Sequence, residues 1–96
     1  MINRIVKMTF REDFLETFRF LFSENKNKIR AFEGCLHLEL WQDVSDKRVF
    51  TTFSKWNSEE SLNIYRNSEL FKTVWKETKT GFSSPPQAIS FKTVEN

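Results

Sequence analysis

Along residues 2–9 the side chains alternate, with Ile2, Val6 and Met8 on one parity and Asn3, Ile5, Lys7 and Thr9 on the other. A period of two places successive residues on opposite faces of a strand. Arg4 interrupts the apolar parity. Over residues 12–30 the period lengthens. Phe14, Leu15, Phe18, Leu21, Phe22 and Ile29 recur at three- and four-residue steps, one stripe of an amphipathic helix. Glu12, Asp13 and Glu16 fall in its first turn, where the helix dipole favours anions. Gly34 closes the connection as a residue free to take a positive φ. Residues 35–42 alternate strictly, and that spacing sets Leu36, Leu38 and Leu40 on one face and Cys35, His37, Glu39 and Trp41 on the other. A polar turn at residues 43–47 leads into a strand at residues 49–56. A turn this short makes the two strands an antiparallel hairpin.

Asn57-Ser58-Glu59-Glu60 then reads as a helix start, a capping side chain followed by acids. Leu62 and Tyr65 mark the inner side of a short helix, and Asn67-Ser68-Glu69 restarts the pattern. Leu70, Phe71, Val74, Trp75 and Thr78 form a second stripe that ends near Gly81. Pro85 and Pro86 cannot continue a helix, and residues 88–94 make a last strand with Ile89 and Phe91 on one face. The order β-α-β-β-α-α-β predicts an α+β fold of the ferredoxin-like, split β-α-β kind: a four-stranded antiparallel sheet with helices on one face.

Composition sharpens this picture in one respect. The 96 residues, expected to form a single domain (1–96), carry eleven Phe, three Trp and one Tyr. A buried aromatic removes roughly 150–250 Å² from water, so this is more apolar surface than a small domain needs for its core. Helices cover one face of the sheet, yet the second and third strands carry large residues on both parities. The leucines and Phe53 are expected on one side; His37, Trp41, Phe50 and Trp56 are expected on the other. A bare apolar face predicts a homodimer, sheet against sheet.

The remaining features mainly exclude. A net charge of +2 gives no basic footprint for nucleic acid. RNA-binding modules of similar strand order need a Gly after the leading basic residue and aromatics two apart, and residues 47–53 have neither. One cysteine permits no intrachain disulfide. The first ten residues alternate unlike a signal peptide, and no apolar run is long enough to span a membrane. A cytoplasmic location is the expectation.

Among single residues, His37 is the only histidine and shares its predicted face with Glu39 and Cys35. A His beside a carboxylate can act as a base near neutral pH, or simply be a polar residue on the dimer face. Cys35 and His37 are two soft ligands, too few for zinc, which takes three or four. Trp56, Trp75, Tyr65 and Phe71 fit either plain core or the wall of a cavity for a flat aromatic molecule. Tyr65 and Trp75 carry a polar atom that needs a partner when buried, which suits them best to a cavity wall.

The hairpin ending in Lys55-Trp56, the helix start Asn57-Ser58-Glu59-Glu60-Ser61 and the restart Asn67-Ser68-Glu69-Leu70-Phe71 together resemble the antibiotic biosynthesis monooxygenase superfamily. Its members typically show a strand-end Trp, then Ser/Asn-x-Glu, then a serine-led start to the next helix. Phe32-Glu33-Gly34-Cys35 fits too, since a Gly before the second strand is usual there. The resemblance covers nearly the whole chain. It implies a dimeric α/β barrel, two domains packing their sheets together, with ligands held between each sheet and its helices. The family's activities include cofactor-free oxidation of polycyclic aromatics, haem degradation and quinol–quinone interconversion, and many members have none assigned.

The haem-degrading branch uses an Asn on the first strand, a Trp on the short helix and a His on the next helix. Those positions fall here on Lys7 (Asn3 with a shifted register), Tyr65 and Trp75, so haem degradation is not expected. Cofactor-free oxygenases often place an Asn four residues before the strand-end Trp, where this chain has Thr52. What the resemblance implies is a monooxygenase-like protein acting on a small aromatic or quinone, without cofactor or metal. The alternative is a non-catalytic ligand-binding or stress-response dimer of the same fold. His37 and Tyr65 are the catalytic candidates; Trp56, Phe71, Trp75 and Asn3 are the substrate-binding candidates.

Overall fold

The computed structural model describes residues 1–96. The chain runs through β1 (Ile2–Thr9), a 3₁₀ turn (Glu12–Phe14), α1 (Leu15–Arg30), β2 (Cys35–Gln42), β3 (Val49–Trp56), α2 (Glu59–Arg66), α3 (Glu69–Thr78), a second 3₁₀ turn (Lys79–Gly81) and β4 (Gln87–Lys92). The strands form one sheet in the order β2-β3-β1-β4, and each neighbouring pair is antiparallel. The β1-α1-β2 unit is split, because β3 lies between its two strands. This is the α+β ferredoxin-like architecture that the changes of period predict.

Local chemistry explains the element ends. Ser58 caps α2 by accepting from the Ser61 amide at 3.1 Å, and Ser68 caps α3 by accepting from the Phe71 amide at 3.1 Å. Each satisfies one of the amides that a helix start leaves without an intrahelical partner. The first helix has no such residue: Arg11 makes no capping bond with its side chain, and the chain tightens into a 3₁₀ turn before the α-helix begins. The last strand is shorter than residues 88–94, ending at Lys92 opposite Ile2, where β1 begins and pairing partners run out.

The helices cover one face of the sheet and meet it in two aromatic clusters. Met8, Phe10 and Phe50 pack with Phe14 and Phe18 at one end, with Phe10 fully buried and 4.4 Å from Phe18 between ring centroids. Ile29, Cys35, Trp56, Leu62 and Tyr65 pack at the other.

Three assignments of side differ from expectation, all for reasons of register: Cys35 with His37, the leucines with Phe53, and Phe50 and Trp56 with His37 and Trp41. A bulge lies between Cys35 and His37: Cys35 pairs with Trp56 while His37 pairs with the adjacent Lys55. The extra residue, Leu36, is left 41% exposed, and Cys35 turns inward to the core. Cys35 and His37 therefore do not share a face, as strict alternation predicts, because a bulge resets the parity of a strand. Nor do the leucines share a face with Phe53. Leu38 and Leu40 lie opposite Ser54 and Thr52, while Phe53 lies opposite Glu39, and residues directly opposite in a ladder point the same way. The inner face thus carries Leu38, Leu40, Phe50 and Trp56; the outer face carries His37, Trp41 and Phe53.

Gly34 fixes where β2 enters. Its φ is +92°, and its carbonyl accepts from the Asn57 amide at 2.9 Å. A β-carbon there would lie 2.5 Å from the Ser61 β-carbon. Gly34→Ala is expected to destabilise the fold by about 2 kcal/mol or more, through left-handed backbone and overlap together. Thermal denaturation should register a fall in Tm of roughly 8 °C or more.

Candidate functional site

The two buried clusters are distinct, and they are bridged on the helix side by Phe71 and Trp75. Between the clusters, under α2 and α3, lies a cavity of about 300 Å³, at the small end of the range for ligand sites. Met8 and Phe18 from one cluster and Trp56 and Tyr65 from the other face each other across it.

Its wall is built upward from β3. Trp56 is 1% exposed, and its indole N–H donates to Ser54 Oγ at 3.0 Å, so its polar atom is spent within the floor. Tyr65 stacks on Trp56 at 4.8 Å and 26°. Phe71 meets Tyr65 edge-on at 5.3 Å, and Trp75 stacks on Phe71 at 5.7 Å and 12°. The ladder of rings follows from sequence spacing: Tyr65 is on the inner side of α2, while Phe71 and Trp75, four apart, share one side of α3.

Tyr65 is the chemically distinctive member. Burial pushes its phenol well above the ordinary value of 10.0, with nearby Cys35 adding to the shift. Its hydroxyl makes no hydrogen bond within the chain and is not fully enclosed, and Tyr65 is one of the residues that line the cavity. At neutral pH it is a hydrogen-bond donor and not a base. Thr52 also lines the cavity; it occupies the position four residues before Trp56.

Of the residues singled out by sequence, Tyr65, Trp56, Phe71 and Trp75 come together here. His37 and Asn3 do not. His37 is on the outer face, paired with Glu39 and edge-on to Phe53 at 5.8 Å. The Trp41 indole N–H donates to Glu39 at 2.8 Å; this bond, and then His37, hold the Glu39 carboxyl below its ordinary pKa. Asn3 lies on the outer parity of β1, opposite Lys55 and Phe91, and donates to Thr93 Oγ1 at 3.0 Å. The sheet thus separates both from a ligand held by Tyr65 in the same chain. Sequence reading missed Arg4 and Arg66, which line the cavity. The signal for Arg4 was its place on the apolar parity of β1.

Residues 1–77 match the model of the family described as antibiotic biosynthesis monooxygenase. No protein with a curated description matches the chain. Among solved structures, one described as an antibiotic biosynthesis monooxygenase superposes with a TM-score of 0.93 at 19% identity, covering 99% of this chain and 100% of that one. The Rv0793 protein from Mycobacterium tuberculosis gives 0.90 at 18% identity, over 99% and 96%. A conserved protein from Methanosarcina mazei Go1 gives 0.90 at 18% identity, over 95% and 90%. Likeness at this level of identity establishes the shared fold.

Tyr65 is the only tyrosine, so the near-ultraviolet absorbance of phenolate reports on it alone. Its folded-state pKa lies above the unfolded value. The stability this contributes is fully present below the unfolded value of about 10 and is lost as pH rises toward the folded one. In the native protein the phenol is expected to remain protonated at a pH where free tyrosine has ionised. Tyr65→Phe should flatten the fall in denaturant-measured stability with pH in that alkaline range.

Proposed function

The chain belongs to the antibiotic biosynthesis monooxygenase family, and we propose that it works as a homodimer whose inner cavity takes up a small flat aromatic or quinone molecule for oxidation without a cofactor. The observation that carries this is the gap beneath Tyr65 and Trp75, apolar on most of its wall and lined by a tyrosine whose phenol has no partner within the chain. Planar rings fit between stacked aromatic walls, and a single donor orients the oxygen atom of the ligand.

The chemistry that suits such a site is carbanion oxidation. A phenol or enol such as that of anthrone loses a proton, and Tyr65 donates to the resulting oxyanion. The enolate passes one electron to oxygen, giving a carbon radical and superoxide. The two combine into a peroxide, which takes up a proton and eliminates water to leave a new carbonyl. One oxygen atom ends in the product and the other in water, so no external reductant is consumed. Trp75, Phe71 and Trp56 hold the ring system in place. His37 takes no part in this scheme within one chain and belongs to the partner-facing side.

A binding role without turnover is the second reading. What favours it is a cavity wall with no carboxylate and no imidazole, hence no general base within hydrogen-bond reach of a bound substrate.

For the dimer, the support is the outer face. Trp41 stacks on Phe53 at 5.2 Å and remains 44% exposed, with Ile89 at 51% and Phe91 at 53%. Ile5 joins Phe53 to Ile89 across the central strands. An apolar band crossing a whole sheet is more than a monomer normally leaves in water.

Two measurements test these readings. Oxygen uptake with anthrone should exceed the rate without protein, and Tyr65→Phe should lower the enzymatic rate about tenfold or more; a ligand-induced rise in Tm with no uptake selects the binding role instead. Light scattering should give twice the 11.5 kDa of one chain. Ile89→Lys should shift the population toward the single-chain mass, while a wild-type monomer at micromolar concentration would remove the dimer.

A further inference from the structure

Arg4 occupies an uncommon position for a guanidinium. It belongs to the inner parity of β1 and is half-buried in the cavity wall. Nη1 donates to Ser90 Oγ at 2.9 Å. Ser90 is the residue opposite it on β4, so the bond keeps the charged head on the inner face. A guanidinium has five N–H donors, and this is the one that Arg4 uses within the chain. Arg66, the last residue of α2, lines the same cavity and is exposed, so it marks where the cavity opens to solvent.

Neither arginine is paired. The ion pairs of the chain join Arg11 to Asp13, His37 to Glu39, Lys47 to Glu12 and Arg48 to Asp46. No Asp or Glu lines the cavity. Burial, and then the charge of Arg66, hold the Arg4 guanidinium below its ordinary pKa. Arg4 is thus a half-buried charge with a like charge at the mouth and no counter-charge from the chain, a position that costs it free energy. A helix C-terminus accounts for Arg66 alone, since cations are favoured there. It does not account for Arg4, which lies mid-strand.

We propose that the cavity takes its aromatic ligand as an anion, the charged oxygen lying between Arg4 and Arg66 and the rings reaching in toward Tyr65 and Trp75. This rests on the reading of the cavity as the ligand site and adds the charge of the ligand. The matching chemistry is a flat ring system bearing one carboxylate or one acidic enol. Carboxylates match the guanidinium fork. For an enol, two nearby cations favour the ionised form. They would supply the enolate that reacts with oxygen without a base in the wall, the proton leaving to solvent.

The test uses two pairs of probes, each an anion and its neutral counterpart: β-naphthoate with β-naphthamide, and lawsone with its methyl ether. Binding is followed by quenching of tryptophan fluorescence and confirmed by calorimetry. In the wild-type protein at least one anion is expected to bind about tenfold or more tighter than its neutral counterpart, a preference that weakens with added salt. The pair that shows it identifies carboxylate or enolate as the group recognised. Arg4→Met should collapse the ratio of anion to neutral affinity, and Arg4→Lys should retain part of it. Arg66→Met changes an exposed residue and tests the same preference should Arg4→Met fail to fold. Equal binding of anion and neutral probe in the wild type overturns the proposal and leaves the cavity as a site for neutral aromatics. Binding of none of the four overturns the cavity reading and this proposal with it.

Discussion

The stack of Tyr65 on Trp56, with ring centroids 4.8 Å apart, fixes α2 to the inner face of the sheet, and the rest of the arrangement depends on it. Trp56 is anchored from below by its own bond to Ser54, so the stack has a rigid base. From above, Phe32 meets Tyr65 edge-on at 5.2 Å and Phe71 does so at 5.3 Å. A ring held on three sides does not swing into an adjacent gap. Close-packed interiors normally leave few voids larger than a water molecule. Here the stacked rings bridge the two clusters along the helix side, and the space beneath them is the cavity.

The same stack sets the chemistry of that space. Burial that holds Tyr65 in place also keeps its phenol protonated, which makes it a donor toward a developing oxyanion. One residue further along α2, Arg66 emerges at the mouth. Across the cavity, β1 presents Arg4 where an apolar residue would continue the strand pattern. The wall therefore combines aromatic surface, a neutral donor and two unpaired cations. That set suits a flat anion better than it suits a hydrocarbon or a cation.

The outer face carries a side-chain group of its own. His37, Glu39 and Trp41 form a connected group on β2 around Phe53. These polar contacts lie among apolar residues that stay accessible in the single chain, as a face with a second role would require. The bulge at Leu36 separates two neighbours on the strand: it sends Cys35 to the core and leaves His37 outside. The two catalytic candidates, His37 and Tyr65, thus lie on opposite sides of the sheet.

The sequence by itself determined the elements, their order and their caps. Alternation and helical spacing are local properties, and Ser58, Ser68 and Gly34 act within a turn or two of themselves. The aromatic candidates on α2 and α3 were legible for the same reason, since Tyr65, Phe71 and Trp75 lie on the inner stripes of their helices. Only the tertiary structure decided which face each strand residue took and whether rings filled the core or bounded a cavity. A single inserted residue reverses parity, and cross-strand register depends on pairing between segments far apart in the chain. Arg4 illustrates the limit: its break in the pattern was visible, but Arg66, Ser90 and the cavity that give it meaning are brought to it by folding.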